Sequence, residues 1–467
     1  MLPPDFIQEL ACLLGNDEAS LLAAAVASAS APTSIRLNPR KPMAADRLPA
    51  PVAGRVPWCD SGRYLAERPA FTWHPLLHAG CYYVQEASSM YIEQAWRRIA
   101  EDTMPRRVLD LCAAPGGKST LWRTLLPDDC LLVANEPIRP RASVLAENLL
   151  KWGHPNVVCT MAYPGEFAPL GSYFDVVAAD VPCSGEGMFR KDTGAVEEWS
   201  AEAVERCAAR QMQIVRDVWP ALRDGGWLVY STCTYNSWEN EDNVARICSE
   251  LGAECVTMAQ CADWGVAGDT TGRGLSVCHF FPHKVKGEGF FLALLRKTST
   301  APVWKEKKRK APACLPPAPP QVAAGMLRQL EAEARYVCLT EADGSLSAVD
   351  EAAADGVRSI CARVRHLLAG VPLASPKGRK WVPSQGLALS VIRRGGSYPE
   401  AALSLTQAQA YLRREALTLE AGAERGYVLA TYEGHALGFL HNIGARANNL
   451  YPAEWRIRSG ADRAPAK

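Results

Sequence analysis

This 467-residue chain lacks the cysteine spacing of a metal or redox motif: no two of its 16 cysteines stand three positions apart, so C-x-x-C pairs are absent. No apolar stretch approaches the ~20 residues a membrane span requires. No Lys or Arg precedes Arg36, so the apolar run Leu21 to Ala31 has no basic segment before it and reads as a buried helix, not a secretion signal. Thiols scattered without a framework, in a chain too large to need disulfide staples, fit a reducing cytoplasm. Most of them are expected to be small core hydrophobes. Excess charge is missing too, since 51 Lys and Arg stand against 50 Asp and Glu.

With 48% hydrophobic and 22% charged residues, the chain has the balance of an ordinary globular protein of two to four domains. Its near-neutral total hides an asymmetry. Residues 301–467 carry 23 basic against 15 acidic side chains, and the first 300 carry 28 against 35. A basic appendage on an acidic body suits a polyanionic partner. Between them, Val303 to Pro320 (VWKEKKRKAPACLPPAPP) reads as a basic, proline-rich linker.

Residues 101–298 alternate strand-like and helix-like segments. Strands are expected at Arg106–Leu111, Leu131–Glu136, Asn156–Thr160, Phe174–Asp180, Gly226–Cys233 and Phe290–Lys297. Helices are expected from Lys118, at Arg139–Trp152 and at Ala201–Arg223. This α/β pattern implies a parallel sheet covered on both faces, with ligands beyond the carboxyl ends of the strands.

Three such ends carry chemistry. The first strand runs into Cys112-Ala113-Ala114-Pro115-Gly116-Gly117-Lys118, whose small residues let the backbone approach a ligand at a helix N-terminus. A phosphate-binding P-loop would need Gly at position 112, which is Cys112. An adenosine-containing cofactor remains, with Glu136 placed like an acid that binds ribose hydroxyls. The next end is Asp180-Val181-Pro182-Cys183-Ser184-Gly185-Glu186-Gly187. Amino-group methyltransferases place an aromatic after that proline; Cys183 favours thiol chemistry. A third end carries Ser231-Thr232-Cys233. Two thiols there could be buried hydrophobes, a redox pair, or a nucleophile with an assistant.

LDLCAAPGGKST, a strand ending Asn135-Glu136, DVPCSGEGMFRKD and YSTCTYNSWENEDNV occur here in the order found in the Sun (Fmu) family of RNA cytosine-C5 methyltransferases. The whole chain resembles that family's bacterial ribosomal RNA branch, through PTSIRLNP and YYVQEASSM near the start and GFLHNIGARANNLYP near the end. The resemblance implies a Rossmann-like seven-stranded sheet in residues 101–298. An N-terminal α+β, ferredoxin-like RNA-binding unit would occupy residues 1–100. After the linker, 299–320, a β-rich and barrel-like RNA-binding extension would fill 321–467. It implies S-adenosylmethionine on Cys112 to Lys118 and Glu136, and RNA, ribosomal before transfer RNA, as substrate. Cys233 would attack carbon 6 of cytosine, Cys183 would assist release, and Asp180 would hold the base beside the cofactor. Tyr163 stands where relatives usually carry an adenine-contacting Asp. A scaffold without activity is the rival reading, and the paired thiols argue against it.

Positive charge around a pocket for an unstacked base is expected from Arg36, Arg40, Arg190, Lys191, Arg446, Arg456 and Arg458. Tyr427, Tyr432, His441 and Tyr451 are either RNA contacts or a β-domain core. No metal site is expected from His74, His78, His279 and His283, nor a membrane partner, and a monomer is favoured.

Overall fold

In the computed structural model, which describes residues 2–28, 31–258, 262–298, 314–420 and 422–458, helices α1 (Pro4–Leu14) and α2 (Asn16–Ala27) come first. The apolar run beginning at Leu21 falls on α2, which buries Leu22 and Val26. Strands β1 (Thr33–Leu37), β2 (Val52–Arg55), β3 (Gly62–Leu65) and β4 (Tyr82–Val84) then form an antiparallel sheet in the order β2-β3-β1-β4. That order and direction are the ferredoxin-like ones. The connections are reduced, however: a three-residue turn at Ala45–Arg47 and a short helix at Pro75–His78 stand where full helices would pack.

The central sheet follows from the apolar strands β5 (Arg107–Asp110), β6 (Leu131–Asn135), β7 (Val157–Thr160), β8 (Phe174–Asp180), β9 (Leu222–Thr232), β10 (Ala253–Cys255), β11 (Val277–Phe280) and β12 (Phe290–Lys297). Strands β5 to β9 run parallel, as strands joined by helical crossovers must, and β12 lies antiparallel beside β9. Strands β10 and β11 pair with opposite ends of β12 and share one edge position, which accounts for the seven positions expected. Val108, Leu132 and Val176 face one apolar layer, and Leu109, Val133 and Val177 the other. Both faces are buried, the arrangement that permits such unbroken apolar runs.

The sheet nevertheless has nine strands, because the C-terminal region adds one. That region holds β13 (Tyr336–Thr340), β14 (Leu346–Asp350), β15 (His366–Ala369), β16 (Val371–Lys377) and β17 (Lys380–Pro383). Strand β15 pairs antiparallel with β7 and covers the edge of the central sheet, removing an unpaired row of backbone groups. The final strands, β18 (Glu400–Ala402), β19 (Gly426–Tyr432), β20 (His435–Asn442) and β21 (Ala447–Asn449), form an open four-stranded sheet. The expected barrel-like form is not closed. Its core, with Tyr411, Leu440 and Tyr451, is continuous with Ile35, Trp73 and Tyr82 of the N-terminal unit.

Two local expectations shift. The helix from Ala201 stops at Val218, because Pro220 cannot continue it, and β9 begins earlier than Gly226, at Leu222. Residues 299–313 of the linker lie outside the described residues. Leu315 and Ala318 are buried, and the Ala318 amide donates to the Cys338 carbonyl at 2.9 Å, so the chain is packed again before position 320.

Candidate active site

Strands β8 and β9 lie in register with Asp180 beside Ser231. The two loops that follow therefore leave one edge together, and the Cys183 and Cys233 sulfurs stand 3.3 Å apart, a thiol–thiol hydrogen bond with both cysteines free. Sharing that hydrogen bond, being buried and sitting near Glu239 push the Cys183 thiol well above its ordinary range. The backbone also fixes Cys233: its carbonyl accepts from the Gly187 amide at 2.9 Å. A β-carbon on Gly187 would come within 2.8 Å of that oxygen, so only glycine fits there.

Two fully buried carboxylates tie the loops together. Glu239 accepts from the Ser184 amide at 3.0 Å, from Gln211 at 2.6 Å and from Asn236 at 2.9 Å. Glu186 accepts from the Tyr235 amide at 2.7 Å, from Trp199 at 3.1 Å and from Asn236 at 2.9 Å. The Asn236 amide group thus bridges both acids. Burial lifts Glu239 above the usual carboxylate range, against hydrogen bonds from Ser184 and Asn236 that favour its charge. Glu186, Asn236 and Glu239 lie inside the two motifs that carry the thiols, and the motifs alone assign them no role. A glutamate in a glycine-rich loop after a buried strand, and an Asn three positions before a Glu, were the available signals.

Asp180 links the thiols to the glycine-rich loop. One carboxylate oxygen accepts from Ser231 at 2.8 Å and the other pairs with Lys118 at 2.8 Å. Burial works against the Lys118 charge, and the pair with Asp180 outweighs it, so its pKa is raised. Beneath the loop Asp110 accepts from Ser119 at 2.6 Å, and burial pushes it up to about 7.

The loop itself is shaped to meet a ligand. Gly116 has φ +115°, and a β-carbon there would press on Leu145 and Asn148 at 3.3 Å. Asn148 donates to the Pro115 carbonyl at 2.8 Å, and the Ala113 amide to the Asn135 carbonyl at 2.9 Å. Cys112 is half-buried, and burial pushes its thiol up. Glu136, at the end of β6, is buried; Ile138 donates to one of its oxygens at 3.1 Å and Arg141 approaches the other at 3.4 Å. A carboxylate has about four acceptor positions, so two hydroxyl groups could still be held. The donor set therefore fits an adenosine-bearing cofactor. Tyr163 lies beyond β7, its side chain exposed and its amide donating to Glu166 at 2.7 Å.

The expected basic rim is only partly at the surface. Arg36 is fully buried against the glycine-rich loop and is not an RNA contact. Arg190 donates to the Ala25 and Gly287 carbonyls, anchoring α2, and Lys191 pairs with Glu288 at 2.9 Å. Arg40 is exposed and paired with Asp128; Arg446, Arg456 and Arg458 are exposed. Tyr451 is core, while Tyr427 packs on His441 with centroids 5.0 Å apart. A cavity of about 570 Å³ opens between α1 and the loop after Cys233, lined by Phe6, Glu9, Glu186, Asn236 and Trp238; neither thiol is part of its lining. No cluster able to hold a metal occurs among the described residues.

Comparison with known proteins extends this geometry. Residues 99–296 match the family described as 16S rRNA methyltransferase RsmB/F. Residues 2–87 match the N-terminal domain of 16S rRNA methyltransferase RsmF, and 398–457 a methyltransferase RsmF PUA domain. The chain is 32% identical over 446 residues to ribosomal RNA small subunit methyltransferase F of Escherichia coli, covering 91% of this chain and 90% of that protein. It is 32% identical over 417 residues to the same-named protein of Erwinia tasmaniensis, with 87% and 85% covered. Among solved structures, a methyltransferase homologue from Pyrococcus horikoshii superposes with a TM-score of 0.52 at 26% identity, covering 63% of this chain and all of that one (100%). NSun6 from Pyrococcus horikoshii with SFG shares the fold at 21% identity and a TM-score of 0.53, covering 64% of this chain and 99% of that one.

Proposed function

This chain belongs to the 16S rRNA methyltransferase RsmB/F family, S-adenosylmethionine-dependent enzymes, and from that premise we propose that it methylates carbon 5 of a cytosine in small-subunit ribosomal RNA. The observation that carries the reading is the pair of thiols 3.3 Å apart at adjoining strand ends. Carbon 5 of cytosine is too weak a nucleophile to take a methyl group unaided. Attack on carbon 6 by the Cys233 thiolate breaks the conjugation and makes carbon 5 enamine-like. Cys183, within hydrogen-bond reach of Cys233, is placed to assist release, the step in which the carbon 5 proton is removed and Cys233 leaves. Asp180, already oriented by Lys118 and Ser231, keeps lone pairs for the amino edge of the base.

S-adenosylmethionine supplies the methyl group as a sulfonium when bound. The loop Cys112 to Lys118 and Glu136 would hold it, with Tyr163 beside its adenine end. The base has to leave its stack to reach the thiols, which a ribosomal RNA segment presented single-stranded allows. The test is transfer of an isotope-labelled methyl group by the purified chain into unmodified 16S rRNA, followed by nucleoside mass spectrometry. Labelled 5-methylcytidine is expected. Label in another nucleoside, or only in transfer RNA, would overturn the reading.

A further inference from the structure

Arg36 leaves β1 of the N-terminal sheet and ends, fully buried, under the start of the helix Gly117–Leu125. Its guanidinium donates to the Gln85 side chain at 2.7 Å, the Thr120 hydroxyl at 2.5 Å and the Gly117 carbonyl at 3.2 Å. It reaches the Thr124 hydroxyl at 3.4 Å and lies 4.5 Å over the Trp152 ring. All of these partners are neutral. Glu93, the acid whose charge is felt there, is committed to Arg97 at 2.7 Å and to the Asp60 amide at 3.1 Å. Burial pulls the Arg36 pKa down to about 10, so it remains a cation at neutral pH.

A buried cation without a counter-ion is costly, and an anion placed near it recovers part of that cost. The turn that Arg36 grips is the positive end of the helix, so two sources of positive potential converge on one place. The cofactor carries one anionic group, the carboxylate of its amino-acid end. With the ribose assigned to Glu136 beyond β6 and the methyl group needed beside the thiols beyond β8 and β9, the loop between is left for that end.

We propose that Arg36 is a positioning residue for the cofactor: its charge, delivered from the N-terminal unit and paired with no carboxylate among the described residues, completes the field that holds the amino-acid carboxylate at the start of the helix Gly117–Leu125. The proposal rests on the assignment of the glycine-rich loop to S-adenosylmethionine. It also gives the N-terminal unit a second task, coupling whatever RNA it meets to the cofactor site.

The experiment titrates the full chain with two probes. S-adenosylhomocysteine keeps the amino-acid end, and 5′-methylthioadenosine keeps the adenosine and thioether but has no carboxylate. Arg36→Met weakens binding of the first by about tenfold, as loss of a positive charge near its carboxylate would, and leaves the second within about twofold. Arg36→Lys, which keeps the charge, retains most of the affinity for both. Thermal unfolding without ligand reports whether each variant folds, and Arg36→Gln gives the same split if the Met variant does not. Equal weakening of both probes, or no weakening of the first, overturns the proposal. If the unaltered chain binds neither probe, the loop assignment falls, and this inference with it.

Discussion

Cys183 shows how far a side chain's chemistry is set by its neighbours. Its thiol is held neutral at ordinary pH by the hydrogen bond with Cys233, by burial and by the charge of Glu239. Removing that charge favours the thiolate, so Glu239→Gln moves the midpoint of Cys183 alkylation to lower pH, measured in a Cys233→Ala background. An unchanged profile would mean that Glu239 acts only as a brace. As a brace it also matters: the same variant turns one of two accepting oxygens into a donor that faces other donors, which costs about 1–3 kcal/mol of stability, to be seen in urea unfolding. The thiols themselves, Asp180, the glycine loop and Glu136 were legible because each sits at a strand end in a recognisable string. Glu186, Asn236 and Glu239 were not, because burial and partners, which define their role, are properties of the folded loops. Arg36 misled for the same reason: an arginine in an alternating strand reads as exposed until the helix that buries it is in place.

At the scale of elements, the parallel order of β5 to β9 was readable from apolar runs separated by helices, and local signals failed mainly at ends. Pro220 was the clue that the long helix stops at Val218. What no local pattern could show is β15, which pairs with a strand about 200 residues earlier in the chain. This seam makes a sharp prediction at Gly153, which caps the helix Arg139–Trp152 with φ +86° and lies where a β-carbon would meet the Leu389 carbonyl at 2.5 Å. Gly153→Ala lowers stability by more than the ~1 kcal/mol of the left-handed backbone alone, because Leu389 must also move. Chemical denaturation checks it; a cost under that value would mean the C-terminal region does not press on the sheet. A chain ending at residue 298 leaves the β7 edge bare and is expected to be less soluble than the full chain, by sedimentation of the two at equal concentration.

For the whole molecule, the prediction that most thiols are core hydrophobes leads to a pH dependence. Cys81, Cys130 and Cys159 are fully buried, and burial pushes each up to about 12. In the unfolded chain they ionise near ~8.5. The folded state therefore keeps protons that the unfolded state gives up between those values. Their stabilising contribution is complete below the lower value and shrinks as pH rises, by about 1.4 kcal/mol per group per pH unit. The urea midpoint under reducing conditions is expected to fall between pH 8 and 10; a constant midpoint would contradict the buried assignment. The general plan, a methyltransferase sheet flanked by two smaller modules, was legible from composition and motifs. Their fusion through a shared core and a donated edge strand was not, since such contacts join residues far apart in sequence.

The most direct test of the central claim uses Cys183→Ala incubated with S-adenosylmethionine and unmodified 16S rRNA. If Cys233 attacks carbon 6 and Cys183 is needed for release, a protein–RNA adduct accumulates that survives denaturation and is lost in Cys183→Ala/Cys233→Ala. No adduct in the single variant, with RNA and cofactor both bound, would contradict the two-thiol account.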